Sequence, residues 1–559
     1  ISQIIKFSYK IDTFQFEAIK SIEKGQHVLV TAHTSAGKST IAEYSIAKCA
    51  TLNQKVIYTS PIKTLSNQKY YDLRQKCPTI LNMDPNCIGI STGDIKINPD
   101  TAQCIIMTTE ILRNKLYKDI KFFDDVKIVV FDEVHYIKDM DRGHVWEESI
   151  IMLPAHVTIV MLSATISNPE DFAHWVQKIK GVKTNLVSTL YRPVPLSFYF
   201  YAKQQIYPMK TKEQKIDYDN YDIVKDYFFT FFKEKRSYKS LFNEICQYIS
   251  DQNLMPAILF NFSRKNCEAY SKYITINLIN YQERSEIERI FNFYTSKGMS
   301  EVDRYLPQTL LIKENLLKGI GIHHSGLLPL LKEIVEIVFG KGLIKLLFAT
   351  ETFAVGVNMP TKTVIFTELE KYDNYHGRRN LFTDEFLQMS GRAGRRGLDT
   401  KGTVIYLPIK PMLEKNELSA LVLGSTPKVL SRFILDHRLL LKSIESPEQD
   451  TYHIVANSLL SHETEVYIKA NQYDLVHFQQ DLELSNKSLN LSAENYKILS
   501  DYLRLEEDPN KIKKKPQKLQ AIKNQWTGTE SVFQQSLKQL KHHQEVQDKI
   551  INLEHDIKY

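Results

Sequence analysis

The 559-residue sequence is short of the residues that punctuate or staple a chain. It holds only 20 Gly and 19 Pro, which excludes collagen-like and low-complexity polymers. Its six cysteines (Cys49, Cys77, Cys87, Cys104, Cys246 and Cys267) contain no C-x-x-C pair. Neither a disulfide framework nor a structural zinc is expected, and a reducing intracellular compartment is. No stretch reaches the ~20 consecutive apolar residues that cross a bilayer, so no membrane partner is expected. No basic-then-apolar leader is visible either, although a chain opening at Ile1 rather than Met leaves targeting open. Charge of one sign is also scarce. With 72 Lys and Arg against 65 Asp and Glu, the formal net charge of +7 permits an anionic partner without demanding one.

What is present is ordinary folded protein: 43% hydrophobic, 25% charged and 11% aromatic, which excludes wholesale disorder. At ~100–200 residues per domain the length allows roughly three to five domains. Two stretches alternate short β-branched strands with helix-length amphipathic segments. In the first, strands are expected near 27–31, 55–59, 104–108, 127–131 and 157–163. In the second they are expected near 257–261, 319–323, 344–349, 363–367 and 402–407. Such alternation predicts α/β units with parallel sheets covered by helices on both faces. The expected organisation is an α/β domain over 1–200, a connecting insertion over 201–254 and a second α/β domain over 255–408. A Leu-rich, mostly helical region over 409–465 and a second helical region over 466–559 follow. In the latter Phe533, Leu537 and Leu540, then Val546, Ile550 and Leu553, lie at heptad-like spacing with a phase break at His542-His543. Two antiparallel helices or a short coiled coil satisfy that pattern. The basic run at 511–515 reads as a solvated turn or a phosphate contact.

The chemistry concentrates after the first strand. Thr31, Ala32, His33, Thr34, Ser35, Ala36, Gly37, Lys38, Ser39 and Thr40 join a strand to a helix. Backbone N–H groups and a helix N-terminus converge there on an anion, so this is where a phosphate-cradling loop belongs. Lys38 would reach the β- and γ-phosphates of ATP, and Ser39 would ligand Mg²⁺. Ala32 stands where such loops usually begin with Gly. A second apolar strand ends in Asp132 and Glu133; the first is suited to the metal and the second to the attacking water.

Asp132-Glu133-Val134-His135 resembles a DExH box, and its companions follow in the order of superfamily-two helicases. Phe14-Gln15 resembles the adenine-reading glutamine motif. Ser60 to Gln68, Thr92-Gly93-Asp94, Thr108 to Arg113 and Ser163-Ala164-Thr165 resemble the succeeding motifs of the first unit. In the second unit, Phe348 to Pro360, with Gly356 and Asn358 on the nucleotide side, and Gln388-Met-Ser-Gly-Arg392-Ala-Gly-Arg395-Arg396-Gly397 complete the set. The wording of these motifs, with Gly319-Ile-Gly-Ile-His323-His324, is similar to the exosome-associated RNA helicases of the superkiller and mRNA-transport-regulator branch. The resemblance implies two tandem RecA-like domains with ATP between them, Gln388, Arg392 and Arg395 facing the γ-phosphate, and His135 coupling nucleotide to the second unit. It implies RNA contacts from Pro61, Lys63, Thr92, Gly93, Thr108, Thr109, Arg113, Ser263, Arg264 and Thr350. It further implies a monomeric motor that pulls RNA 3′→5′, acts on single-stranded 3′ tails and duplexes, and serves an exosome-type degrading complex. His323 and His324 read equally as packed structural residues. A related DNA helicase, or an ATP-gated RNA clamp that does not unwind, are the alternatives. Members of this branch carry a winged-helix domain, a helical stalk and then a guiding helical bundle. The resemblance implies a winged-helix-like domain over 409–465 and the stalk, or a truncated arch, over 466–559. No bundle is visible, which implies a fragment or a reduced relative.

Overall fold

The computed structural model describes residues 4–558 except 6, 8, 35, 82, 165, 357–358, 374–376, 426–427, 436, 446–450, 490 and 508–514. The chain divides into two compact units, 1–455 and 456–559. The first holds two α/β lobes, each built on a largely parallel sheet.

The first sheet comprises β1 (His27–Ala32), β2 (Lys55–Ser60), β3 (Ile88–Ser91), β4 (Lys96–Ile97), β5 (Cys104–Thr108), β6 (Val126–Phe131), β7 (Thr158–Ser163) and β8 (Thr184–Thr189). Their order is β4-β3-β5-β2-β6-β7-β1-β8, with only the β3–β4 pair antiparallel. Every residue of β1, β5 and β7 is buried, as expected of strands covered on both faces. Because β6, β7 and β1 are adjacent and parallel, their C-terminal ends share one edge; Val130, Val160 and Val28 are in register. Catalytic loops of open α/β sheets gather along such an edge. The helices obey local rules. Pro169–Lys180 begins on proline, carries Glu170 and Asp171 in its first turn and Lys178 and Lys180 in its last, and stops at Gly181 with φ +65°. It buries Phe172, Ala173, Trp175 and Val176.

The second lobe uses β9 (Leu196–Ala202), β10 (Gln205–Pro208), β11 (Ala257–Phe260), β12 (Ile320–His323), β13 (Leu346–Ala349) and β14 (Thr363–Phe366). A separate hairpin, β15 (Glu370–Asp373) with β16 (Gly377–Asn380), precedes the last strand, β17 (Gly402–Tyr406). The sheet order is β10-β9-β17-β14-β11-β13-β12. Residues 201–254 are therefore not a connecting insertion. β9 runs to Ala202 and turns through Lys203 and Gln204, both at positive φ, into β10. The helices Tyr218–Lys233 and Tyr238–Asp251 then bury Tyr221, Val224, Phe228 and Phe231, and Leu241, Phe242, Ile245, Cys246 and Ile249, in the second lobe's core. The periodicity is helical, but tyrosines carry part of it, and a tyrosine reads as polar in a hydropathy pattern.

Beyond β17 the described residues between 409 and 465 hold helices and no strand. Helix Lys415–Leu423 buries Leu418, Leu421 and Val422 in the second lobe's core. Residues 428–435, outside any helix or strand, then return to the first lobe. There Asn168 pairs with both backbone groups of Val429 (3.2 and 2.8 Å), and the buried Glu147 accepts from Ser431 Oγ (2.9 Å) and Arg432 N (2.7 Å). In the second unit, helices Leu459–Ser488 and Glu530–Lys558 pack antiparallel, with Tyr467 Oη donating to Asp556 Oδ2 across their ends (3.2 Å). The latter helix continues unbroken through His542-His543. Of the basic run, 511–514 lie outside the described residues; Lys515 Nζ donates to the Glu506 carbonyl (2.8 Å).

Candidate nucleotide site between two lobes

The loop after β1 turns into helix Ser39–Thr51 through Gly37, whose φ is +99°. The φ favours glycine here, and a Cβ at Gly37 would lie 2.8 Å from Gln15 Nε2 and 2.9 Å from Arg396 Nη1, so both side-chain ends would have to shift. Lys38 Nζ folds over its own loop and donates to the carbonyls of Ala32 (2.8 Å) and His33 (3.2 Å). Burial lowers its pKa, opposed by the charges of Glu133 and Asp132. Gln15, 1% exposed, donates through Nε2 to the Gly37 carbonyl (2.9 Å) and accepts through Oε1 from Asp12 N (2.8 Å). Phe14 packs on the first lobe's core. Thr31 Oγ1 pairs with Ser188 Oγ (2.7 Å), and Thr40 Oγ1 with Tyr9 Oη (2.8 Å). Ala36 is buried, and Thr34 faces Gly391 of the second lobe. Ser35, Thr165 and Asn358 lie outside the described residues, as do the side-chain surroundings of Gly356.

Asp132 and Glu133 follow β6 but diverge, because Glu133 adopts a left-handed φ of +53°. Asp132 turns inward: Tyr58 Oη donates to its Oδ2, and Glu133 N donates to its Oδ1 (3.0 Å). Burial, and then the neighbouring Glu133 charge, raise its pKa against the pull of Lys69, the Tyr58 hydrogen bond and Lys38. Lys69 Nζ donates to Ser39 Oγ (2.9 Å). Lys69 thus touches Ser39 while its charge acts on Asp132. A buried carboxylate and a hydroxyl are oxygen donors that suit Mg²⁺, and a bound cation would reverse the upward shift of Asp132. Glu133 Oε2 lies 3.4 Å from His135 Nδ1. That nitrogen also lies 3.3 Å from Ala164 N, and the ring's Nε2 lies 3.5 Å from the amide nitrogen of Gln388 in the other lobe. Burial, helped by the Lys38 charge, lowers the pKa of His135 to about 3, so the ring is neutral.

The second lobe supplies the opposite wall. Arg392 is buried, donates from Nη2 to the Ala354 carbonyl, and feels the charge of Glu133 across the cleft. Its Nε finds no acceptor among the described residues. Arg395 pairs within its own lobe. Asp399, four residues on, holds its Nε (2.8 Å) and Nη2 (2.9 Å), and that pairing raises its pKa. The neighbouring Arg396 crosses instead, donating to the Ala36 carbonyl (2.7 Å) and to Asp12 Oδ2 (2.8 Å). Arg192, between the lobes, donates to the carbonyls of Gly391 (3.0 Å) and Ala393 (2.9 Å). It also joins His33, Thr34, His135 and Gln388 in lining a small cavity. Tyr58, Lys69, Arg192 and Arg396 were missed from sequence; only Arg396, adjacent to Arg395, carried any signal.

The ten residues expected to meet RNA sit at or after the C-terminal ends of strands in both sheets. Lys63, Gly93 and Arg264 are exposed. Lys63 pairs with Asp94 (3.0 Å), and Ser263 caps the helix Arg264–Ser271 through Asn266 N (3.3 Å). Pro61, Thr92, Thr108, Thr109 and Thr350 are buried, and Arg113 turns inward to Glu148 (3.5 Å). Thr92 Oγ1 serves its own turn, accepting from Ile95 N (3.1 Å), whereas Thr109 Oγ1 is buried with no partner among the described residues. His323 and His324 bind Glu336 (2.8 Å) and Glu268 (3.1 Å) respectively, as packed residues do.

The DEAD/DEAH box helicase family matches residues 12–172, and the helicase conserved C-terminal domain matches 243–397. The chain is 38% identical over 535 residues to the antiviral helicase SKI2 of Saccharomyces cerevisiae, an alignment covering 84% of this chain and 41% of that protein. It is 40% identical over 475 residues to the exosome RNA helicase MTR4 of Homo sapiens, covering 81% and 44%. It is 39% identical over 458 residues to the human superkiller complex protein 2, covering 78% and 36%. The chain thus spans less than half the length of these relatives.

Proposed function

The chain belongs to the DExH-box helicases, in the superkiller and mRNA-transport branch, and on that premise we propose that it is an ATP-driven motor that pulls RNA 3′→5′ and parts duplexes during RNA processing or decay. The observation that carries this reading is the buried Arg392 of one lobe, with its unpartnered Nε, facing Lys38 and Glu133 of the other. A triphosphate between them would draw Lys38 from its own loop carbonyls to the β- and γ-phosphates. Glu133 would orient the attacking water. Arg392 would meet the charge spread over the transferring phosphoryl group, a contribution of ~10³–10⁵ in rate. Mg²⁺ held by Asp132 and Ser39 would neutralise phosphate charge. His135, neutral and set between Glu133 and Gln388, would report the state of the nucleotide to the second lobe.

Hydrolysis removes the charge that holds the lobes shut, and the alternation of closing and opening becomes motion along a strand. Opening one base-pair step costs on the order of 1–2 kcal/mol, well within one ATP. The exposed Lys63, Gly93 and Arg264 at the strand-end loops suit sugar and phosphate contacts, which carry no sequence information. Since relatives are named for the exosome and the superkiller complex, delivery of RNA to a degrading assembly is part of the proposal. Strand displacement on duplexes with 3′ or 5′ tails tests it. Unwinding only from the 3′ tail, with ATPase activity stimulated by RNA and abolished in Lys38→Ala and Glu133→Gln, is expected. Hydrolysis indifferent to RNA would overturn the reading.

A further inference from the structure

Arg396 closes a ring of hydrogen bonds that joins three segments of the chain. Its Nη1 donates to the Ala36 carbonyl and its Nη2 to Asp12 Oδ2. Asp12 precedes helix Thr13–Glu23, and its backbone N–H donates to Gln15 Oε1. The other end of that amide, Nε2, donates to the Gly37 carbonyl, next to Ala36. One guanidinium from the second lobe thus fixes both the phosphate loop and the side chain that abuts it. The loop that carries Arg396 is itself held: Asp399 grips Arg395, and Arg192 binds the carbonyls of Gly391 and Ala393. A part-exposed ion pair contributes little to stability, about 0–1 kcal/mol, so the pair is not there to hold the fold. Its consequence is geometric, since the two separated donors of the guanidinium fork bridge a carbonyl of the phosphate loop and the Asp12 carboxylate at once.

We propose that Arg396 is a positioning residue that acts through Asp12 and Gln15 to shape the base end of the ATP site, so that nucleotide affinity and base selectivity depend on apposition of the second lobe. The inference rests on the ATP-driven reading above. Without Arg396 the Ala36 carbonyl loses its donor and the Asp12 carboxylate its cationic partner. That leaves Gln15 held by the capping box with Asp12 and by Gly37 and Thr40 alone, with nothing from the second lobe. Lys38, Glu133 and Arg392 are untouched by that loss. The cost therefore falls on binding shared by ground and transition states, which raises KM rather than lowering kcat.

The test measures equilibrium binding of a fluorescent ATP analogue, together with kcat and KM for ATP and GTP, in wild type, Arg396→Gln, Arg396→Lys, Asp12→Asn and the Asp12→Asn/Arg396→Gln double variant. Arg396→Gln is expected to weaken ATP binding and raise KM about tenfold, the scale of one charge-assisted hydrogen bond. kcat should hold within about twofold, and preference for ATP over GTP should shrink. Asp12→Asn should reproduce the selectivity change, the double variant should be no worse than Arg396→Gln alone, and lysine should restore only part of the affinity. Unchanged affinity and selectivity in Arg396→Gln, or a fall in kcat at unchanged KM, would overturn the inference while leaving the motor intact. Wild-type protein that binds neither nucleotide would overturn the motor reading and this inference together.

Discussion

At the scale of single residues, burial decides protonation more than neighbours do. His27, on β1, is 1% exposed; its Nδ1 accepts from Ile159 N (3.0 Å), and burial, helped by the Lys180 charge, lowers its pKa to about 4. The unfolded chain takes up that proton near pH 6.5 and the folded one only near pH 4. Stability is therefore complete above pH 6.5 and is lost progressively as pH falls toward 4, by about 2 kcal/mol at pH 5 for this residue. Urea denaturation from pH 7 to 5 should show a shallower loss in His27→Asn, whose amide oxygen can still accept from Ile159; parallel curves would sink the assignment. The residue scale is also where sequence reading was least complete. Asp132, Lys38 and Arg392 were legible because each belongs to a short motif with one chemical use. Tyr58 and Lys69, which bind Asp132 and Ser39, sit in strand and helix patterns that read only as packing. The choice between Arg395 and Arg396 depended on Asp399, whose i,i+4 pairing with Arg395 is present in the sequence but is indistinguishable there from a solvated ion pair.

At the scale of elements, the expected strands were found because central parallel strands are near-continuous apolar runs. β8 escaped because its pattern mixes Thr, Asn and Ser with Leu and Val, and 201–254 because aromatic residues carry its helical faces. The segment 428–435 escaped for a different reason: its partners are side chains of the first lobe far away in sequence, so no local periodicity marks it. That segment gives a sharp prediction. Glu147 is fully buried and accepts from Ser431 Oγ and Arg432 N, so Glu147→Ala leaves two donors of the strap without this acceptor. A loss of about 1–3 kcal/mol is expected, with Glu147→Gln milder because one acceptor oxygen remains. Hydrogen exchange at the Arg432 amide checks it directly. Protection should fall in Glu147→Ala and survive in Glu147→Gln, and equal protection in both would mean the strap is held elsewhere.

At the scale of the whole molecule, ordered motifs exposed two lobes. Heptad-like spacing marked one face of a single long helix, Glu530–Lys558, without indicating its partner Leu459–Ser488, whereas the region between carried neither signal. The two compact units have separate buried clusters, and every residue argued here to touch nucleotide lies in 1–455. In the second unit Phe533 is fully buried, and Tyr502 and Trp526 meet it edge-on at 5.3 and 5.4 Å between ring centres. Leu499, Leu503 and Leu540 complete that cluster. Phe533→Ala removes the ring on which two aromatic contacts converge, and a core truncation of this kind costs about 3–5 kcal/mol. A cluster this small has little stability to lose. Trp526 reports on it, while the other two tryptophans, Trp146 and Trp175, are buried in the first lobe. Denaturation of the full chain followed by tryptophan fluorescence should therefore show an early transition in Phe533→Ala that wild type lacks. The affinity for ATP should stay at its wild-type value, because no part of the nucleotide site draws on this cluster. A variant that lost ATP binding along with the Trp526 signal would show that the hairpin's core supports the motor, and that the two units do not store their stability separately.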